Sequence, residues 1–256
     1  MIAIDAYAYS NKLKTIHPAE KSIFAMVSMG ICLTSATIIT PLFIIALMAG
    51  GIIVKAGIPT RVLIKLMLIP FSFLLISVLT ITFSVSTDPS GFWLAQNING
   101  LMLGIRYPDL ITAIHLFLRS LGAVSCLYFL ALTTPITELI TLLHKIKVPF
   151  IITELMVLIY RFIFVFMETA TTISRAQFSR SGYVSMKSSF RSLSRRFSAL
   201  LGKVIVKSQE LYNSMASRCY TGEIRVLTKK RSVSLRNYGI IIGLELPLIL
   251  MNVLWR

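Results

Sequence analysis

The sequence predicts an all-α polytopic membrane protein with about five transmembrane helices and a cytoplasmic domain of long amphipathic helices. Three observations carry that prediction. Apolar residues make up 55% of the 256 residues and charged residues only 14%, where a soluble domain carries about a quarter charged. Mean hydropathy is +0.79, and the apolar residues fall in runs approaching the ~20 residues needed to cross a bilayer. The charge is lopsided as well: 26 Lys+Arg against 10 Asp+Glu give a net +16. An ordinary cytosolic enzyme and a disordered tail are excluded by this composition. Nucleic-acid binding is the competing reading of such charge, and the apolar runs argue against it; a membrane-anchored binder would show salt-dependent DNA affinity in the Lys187–Arg236 region.

Taken in order, the chain opens with a polar segment holding Asp5, Lys12, Lys14, Glu20 and Lys21. The apolar run that follows it reads as a retained first span rather than a signal peptide. That run extends from Ile23 to about Thr40, with Pro41 as a break. A second, from Leu42 to about Val54, is short, contains Gly50-Gly51 and ends at Lys55, so the pair reads as a tight helical hairpin. Val62 to Val85 is the third span, charged only at Lys65 near its start. Residues 86–109 break the pattern with Asp88-Pro89, Gly91, Asn97, Asn99, Gly100 and Pro108. This stretch is expected to be a loop with an interfacial helix around Phe92–Leu103, its Trp93 at headgroup depth. Leu110 to about Leu132 is a fourth span and carries His115 and Arg119 one turn apart. Ionisable groups inside a span are either functional or paired within the bundle. A last apolar run, Tyr238 to Leu254, includes Glu245 and Pro247.

Between the fourth and last spans the composition changes. Seventeen of the 26 basic residues lie between Thr133 and Arg236. With the N-terminus inside, 23 basic residues fall on the inner side against Arg106 and Arg256 outside. The bias places the N-terminus and the long basic segment in the cytoplasm of a multi-pass cell-membrane protein. The expected organisation is therefore a four-span membrane domain over 1–132, a cytoplasmic helical domain over 133–236, and a final span over 237–256.

The basic segment has helical order. Pro135 precedes Ile136-Thr137-Glu138-Leu139-Ile140, a short amphipathic helix with Pro near its start and Glu138 in its first turn. Val148-Pro149 separates it from a helix running to about Ser174. In that helix Glu154, Arg161 and Glu168 recur every seven residues and line up on one face. Such a row suits a helix packed against protein or lying at the interface; the alternative is a span whose charges pair inside its own bundle. From about Lys187 to Ser217 a basic amphipathic helix follows, with Phe190, Leu193, Phe197, Leu200, Val204, Leu211 and Met215 at three-four spacing. It is long enough to contact membrane lipids or to carry force to a partner. Each of the two long helices ends in an arginine between small residues: Ser179-Arg180-Ser181-Gly182 and Ser217-Arg218-Cys219-Tyr220. Small neighbours let the guanidinium reach into a groove and meet a carboxylate by two-point contact.

These segments resemble a known family. Arg180-Ser181-Gly182 after Ala176-Gln177, and Met215-Ala216-Ser217-Arg218-Cys219-Tyr220-Thr221-Gly222-Glu223, are similar to the paired Ala-Arg-Gly signatures of the transmembrane T components of energy-coupling factor (ECF) transporters. His17-Pro18-Ala19-Glu20-Lys21, Thr134-Pro135-Ile136-Thr137-Glu138-Leu139, Pro149 and Tyr160-Arg161-Phe162 with Glu168 extend the resemblance over nearly the whole chain. Its details lie closest to the cobalt-type CbiQ branch. The resemblance implies a non-catalytic coupling subunit whose cytoplasmic coupling helices hold a substrate-binding membrane subunit (the S component). It further implies two ABC-type ATPase subunits that take up Arg180 and Arg218 with their neighbours Ser179, Ser181, Ser217 and Cys219. The residues flanking both arginines depart from the family pattern but remain small.

The absences agree with a coupling role. The sequence has no G-x-x-x-x-G-K-[ST] loop, G-x-S-x-G or H-E-x-x-H. No cofactor is expected on this chain, and ATP-Mg belongs to the partners. Cys32, Cys126 and Cys219 lack paired spacing, and His17, His115 and His144 lie far apart, so neither a disulfide nor a metal site is expected. A self-contained carrier or a membrane enzyme of other chemistry is the alternative. The first should show inverted repeats and the second convergent acid, base or metal groups, and neither is visible. The cargo is expected to be cobalt, nickel or another transition metal ion, held by the substrate-binding partner.

Overall fold

A computed structural model describes residues 3–86, 92–98, 101–220 and 235–254. The chain divides into two compact units, one formed by residues 2–135 with 230–256 and the other by residues 136–229.

In the first unit a short helix α1 (Ala3–Ser10) leads through a 3-10 turn, Lys12–Thr15, to α2 (Pro18–Thr34). His17 caps α2 by accepting the Ala19 N–H on Nδ1 at 3.1 Å, with Pro18 at the first helical position, where its missing N–H costs nothing. The first apolar run was expected to reach Thr40. Instead α2 ends at Thr34, and Ser35 is extended. Pro41 does not break a helix but sits in the first turn of α3 (Ile39–Gly50), where proline's fixed φ is tolerated. A π turn, Gly51–Lys55, prolongs α3. There follow α4 (Thr60–Thr82), with Pro70 inside it, and α5 (Tyr107–Thr133). The last helix, α9 (Leu235–Leu254), returns to this unit and contains Pro247.

Helix α5 is the axis of the unit, packing against α1, α2, α3 and α4, while α9 packs on α2 and α3. Its core is a cluster including Cys32, Ile44, Met48, Ile52, Cys126, Phe129 and Leu132. Phe24 meets Phe129 edge-on with centroids 5.6 Å apart, and Phe71 meets Phe117 likewise at 5.4 Å. Gly122 allows α5 to approach α2 closely, since a Cβ there would overlap the Cys32 sulfur. On the outside, Leu68, Ile69, Phe73 and Ile76 of α4 are all exposed, the pattern of a helix whose solvent is lipid.

Residues 83–106 correct the sequence reading. In place of an interfacial helix over Phe92–Leu103 there is a three-stranded antiparallel sheet, β1 (Phe83–Ser86), β2 (Phe92–Ile98) and β3 (Leu101–Arg106), in the order β1-β3-β2. Outside this segment the described elements are helical, as expected. Ile98 pairs with Leu101, and the sequence between them is Asn-Gly, which lies outside the described residues. Asn-Gly is a strong two-residue hairpin signal, and the strands' backbone groups satisfy one another where a frayed helix would leave them bare.

The second unit contains α6 (Ile136–Lys145), α7 (Phe150–Ser179) and α8 (Met186–Ala216). Among the described residues three helical segments are long and apolar enough to cross a membrane: Thr60–Thr82, Pro108–Thr133 and Phe150–Ser179. The last is the helix with the seven-residue charge row, so length and apolarity alone do not separate a coupling helix from a span. At 31 residues, α8 is a rod of about 45 Å.

Candidate functional site

The two arginines expected from the sequence to dock partners lie at the two ends of an antiparallel helical hairpin, α7 and α8, and the charge row Glu154, Arg161 and Glu168 runs along α7. Gln177 Nε2 donates to the Ser192 carbonyl at 3.0 Å, and Arg196 Nη1 to Ser174 Oγ at 3.5 Å. Further along, Val165, Phe166 and Thr169 share a groove of about 530 Å³ with Ala199, Gly202, Lys203 and Val206. Pairing of rising with falling numbers puts Arg180 at the elbow of the hairpin and Arg218 at its far end. The length of α8 separates them by about 45 Å.

The two ends have the same hydrogen-bond pattern. After α7, Arg180 N donates to Gln177 O (3.2 Å), Ser181 N to Phe178 O (3.1 Å) and Gly182 N to Gln177 O (2.9 Å). After α8, Arg218 N donates to Met215 O (3.0 Å), Cys219 N to Ala216 O (3.1 Å) and Tyr220 N to Met215 O (3.1 Å). Each is a Schellman closure, with a six-to-one bond outside a five-to-two bond. The residue after each arginine takes the left-handed conformation such a closure needs: Ser181 at φ 52° and Cys219 at φ 55°. The serine before each arginine returns its hydroxyl to the carbonyl four residues back, Ser179 to Arg175 at 3.1 Å and Ser217 to Asn213 at 2.8 Å. Arg180 and Arg218 thus occupy equivalent positions. Both are exposed, and both sit at a helix C-terminus, where a cation is favoured by the carbonyl dipoles. A glycine following the arginine, as in the Ala-Arg-Gly signature, is the residue that reaches this left-handed position without a steric penalty.

What braces the two ends differs. At the elbow, the Gly182 carbonyl accepts both Ser188 Oγ and Ser192 Oγ at 2.8 Å, and Tyr183 OH donates to Gln177 Oε1 at 2.9 Å. A Cβ on Gly182 would stand 2.8 Å from the Gln177 carbonyl oxygen and 2.7 Å from Ser192 Oγ, so glycine is required there. At the far end, Tyr220 OH donates to Glu154 Oε1, tying the second turn to the start of α7. That hydrogen bond raises the Tyr220 phenol above its ordinary pKa. Glu154 is half-buried, whereas Arg161 and Glu168, its partners in the charge row, are exposed. The structure therefore brings Glu154 to Arg218's turn, which spacing alone does not reveal. Sequence reasoning quoted Gln177, Gly182 and Tyr220 only as parts of the two signature segments and gave them no bracing role, and it did not single out Ser192.

Apolar residues remain uncovered along both rods. Ile151, Phe178, Phe190, Phe197 and Leu201 are each more than 60% exposed, a surface that calls for a protein or lipid partner.

Other flagged residues serve the first unit. Arg119 donates to the Ser35 carbonyl, while its Nε and His115 Nε2 are buried without a hydrogen-bond partner among the described residues. Glu20 and Lys21, in the His17-Pro18-Ala19-Glu20-Lys21 segment, are almost fully buried. Lys21 Nζ donates to Thr133 O at 2.7 Å and Leu13 O at 3.4 Å, and Glu20 Oε2 accepts Asn237 Nδ2 at 2.7 Å. This motif is a clasp joining the start of α2 to the ends of α5 and α9. Cys32, Cys126 and Cys219 are free thiols. Among the described residues no group of three or more His, Cys, Asp or Glu is placed to hold a metal ion.

Apolar helices of spanning length beside a basic helical hairpin define the class, a helical membrane protein. The sequence profile of the CbiQ family, described as cobalt transport protein, matches residues 9–229. The chain belongs to that family and is a multi-pass membrane protein. It is 34% identical over 160 residues to the cobalt transport protein CbiQ of Salmonella typhimurium, covering 62% of this chain and 71% of that one. An uncharacterised protein of Methanocaldococcus jannaschii is 32% identical over 253 residues, 99% of this chain and 93% of the relative. A putative fused cobalt transport protein CbiMQ of Methanocorpusculum labreanum is 33% identical over 222 residues, 86% of this chain but 36% of the relative.

Proposed function

We propose that this chain is the transmembrane coupling subunit of an ATP-driven ECF-type uptake transporter for cobalt or another transition metal ion. The observation that carries the reading is the pair of equivalent Schellman ends, each presenting an exposed arginine, at opposite ends of one hairpin. A single groove cannot engage two points about 45 Å apart, so the arrangement suits two ATPase subunits, one per arginine. Each guanidinium offers a planar fork to a carboxylate in its groove. Approach of the two ATPases on binding ATP-Mg then loads the hairpin from both ends, and the load passes along α7 and α8. The uncovered apolar residues of these helices form the contact with a membrane-embedded substrate-binding subunit, which holds the metal. A relative named as a fused CbiMQ protein supports a partner component for this chain. In this reading the chain is not an enzyme; residues 136–229 and the N-terminus lie in the cytoplasm, where the basic bias puts them.

The test is charge reversal. Arg180→Glu and Arg218→Glu each put a carboxylate against the partner's carboxylate, and the double variant is expected to lose co-purifying ATPase and metal uptake while remaining in the membrane. Retained ATPase with normal uptake in the double variant refutes the docking role.

A further inference from the structure

The first unit contains a second concavity that the coupling role does not use. It is a groove of about 410 Å³ between α2, α3 and α9, with Phe129 of α5 at its floor. Its walls are Phe24, Ala46, Leu47, Ile240, Ile241 and Leu244, and at one end it reaches Val54 and Lys55. Val54 is 76% exposed, so this end opens at the surface of the unit. The polar groups inside the groove are engaged locally: Glu20 accepts from Asn237, and Lys21 donates to two carbonyls.

The open end is cationic. Lys12 lies over the turn that follows Lys55, its Cε 3.2 Å from where a Cβ would stand on Gly57, and its N–H donates to the Ala56 carbonyl at 3.1 Å. Arg61 opens α4 just beyond this turn. Lys12, Lys55 and Arg61 are all exposed. An apolar slot with the exposed Lys55 in its lining, Lys12 over the following turn and Arg61 close by in the chain complements one kind of molecule, an amphiphile with an anionic head and a hydrocarbon tail. We propose that this groove binds a single anionic phospholipid, one acyl chain lying between α3 and α9 and the phosphate meeting Lys55, Lys12 and Arg61. Burial of a hydrocarbon chain and attraction of an anionic head to basic side chains are the two ordinary components of lipid affinity. The proposal is independent of the docking of ATPases.

Glycine 50 provides the decisive variant. It lines the groove, and a Cβ built on it meets nothing within 4 Å. Gly50→Leu therefore fills the slot and also improves helix propensity; at the neighbouring Gly51 a Cβ would press on the Phe129 ring at 3.1 Å. The full chain, purified in detergent and stripped of lipid, is titrated with phosphatidylglycerol and with phosphatidylcholine and read by native mass spectrometry. The expected result is one tightly held phosphatidylglycerol per chain, bound more strongly than phosphatidylcholine. Gly50→Leu should abolish the tight adduct for both lipids. Lys55→Ala should weaken phosphatidylglycerol about fivefold, the worth of one surface cation, and leave phosphatidylcholine unchanged. Equal binding of the two lipids by the native chain, or an unchanged adduct in Gly50→Leu, overturns the proposal. So does a dimer that disappears in Gly50→Leu without any lipid effect, which would make the groove an interface between copies. If Gly50→Leu does not fold, the Lys55→Ala comparison decides alone.

Discussion

Replacing Ser181 or Cys219 by glycine should tighten the turn that displays the neighbouring arginine. Both residues hold positive φ, 52° and 55°, where an L side chain costs roughly 1–2 kcal/mol. Glycine removes that penalty but adds about 0.4–1 kcal/mol of unfolded-state entropy. The net gain is about 0.5–1 kcal/mol per site, up to a fivefold shift in a local opening equilibrium. The turns supply their own reporters, because the Gly182 and Tyr220 amides close the six-to-one bonds. Hydrogen exchange of the full chain in detergent should show the Gly182 amide slowed up to about fivefold in Ser181→Gly, and the Tyr220 amide likewise in Cys219→Gly. Ser181→Val, β-branched and therefore worse in the left-handed region, should exchange faster than the native chain. If glycine and valine exchange alike at position 181, the left-handed conformation is not what limits these turns and the reasoning fails.

Three further outcomes are expected. Tyr220→Phe removes the donor to Glu154 and should speed exchange at the Arg218 turn and weaken ATPase retention, while the Arg180 turn stays unchanged. Because that hydrogen bond holds the phenol's pKa above its ordinary value of 10.0, the donated hydrogen bond is complete below that pH and is lost only as pH climbs through the higher folded value; retention that follows a Tyr220 titration between pH 6 and 9 would contradict this. Gly122→Ala drives a methyl into Cys32 and should destabilise the first unit by about 1–3 kcal/mol, the usual range for overpacking. Cys32→Ala removes the obstructing sulfur, so thermal unfolding of the double variant should recover much of the loss.

Helix positions were legible wherever proline and apolar periodicity agreed. Pro135 and Pro149 bracket α6 and open α7, and the basic amphipathic stretch read as Lys187–Ser217 is α8, Met186–Ala216. Pro41 misled because proline is as compatible with a helix's first turn as with its end. The sheet was legible in Asn99-Gly100, yet glycine, asparagine and proline nearby were read together as a loop. The paired arginines were visible as residue types between small neighbours. Their equivalence was not, since a left-handed serine or cysteine looks in sequence like any other small residue. The Glu154–Tyr220 contact joins residues 66 apart, and its geometry depends on how α7 and α8 align, which local patterns do not encode. The burial of Glu20 and Lys21 was hidden for a similar reason: their partners include the Thr133 carbonyl and Asn237, far along the chain.

The unequal bracing of the two arginine turns has a mechanical consequence. A pull on Arg180 reaches a knot of four side chains that binds α7 to α8, so both rods feel it at once. A pull on Arg218 enters α8 first, and at that end α7 takes it up through the Tyr220 hydroxyl seated on Glu154. The hairpin is thus stiff at one grip and compliant at the other. Two pulls of equal strength would displace its ends by different amounts, and a symmetric squeeze would emerge as a tilt.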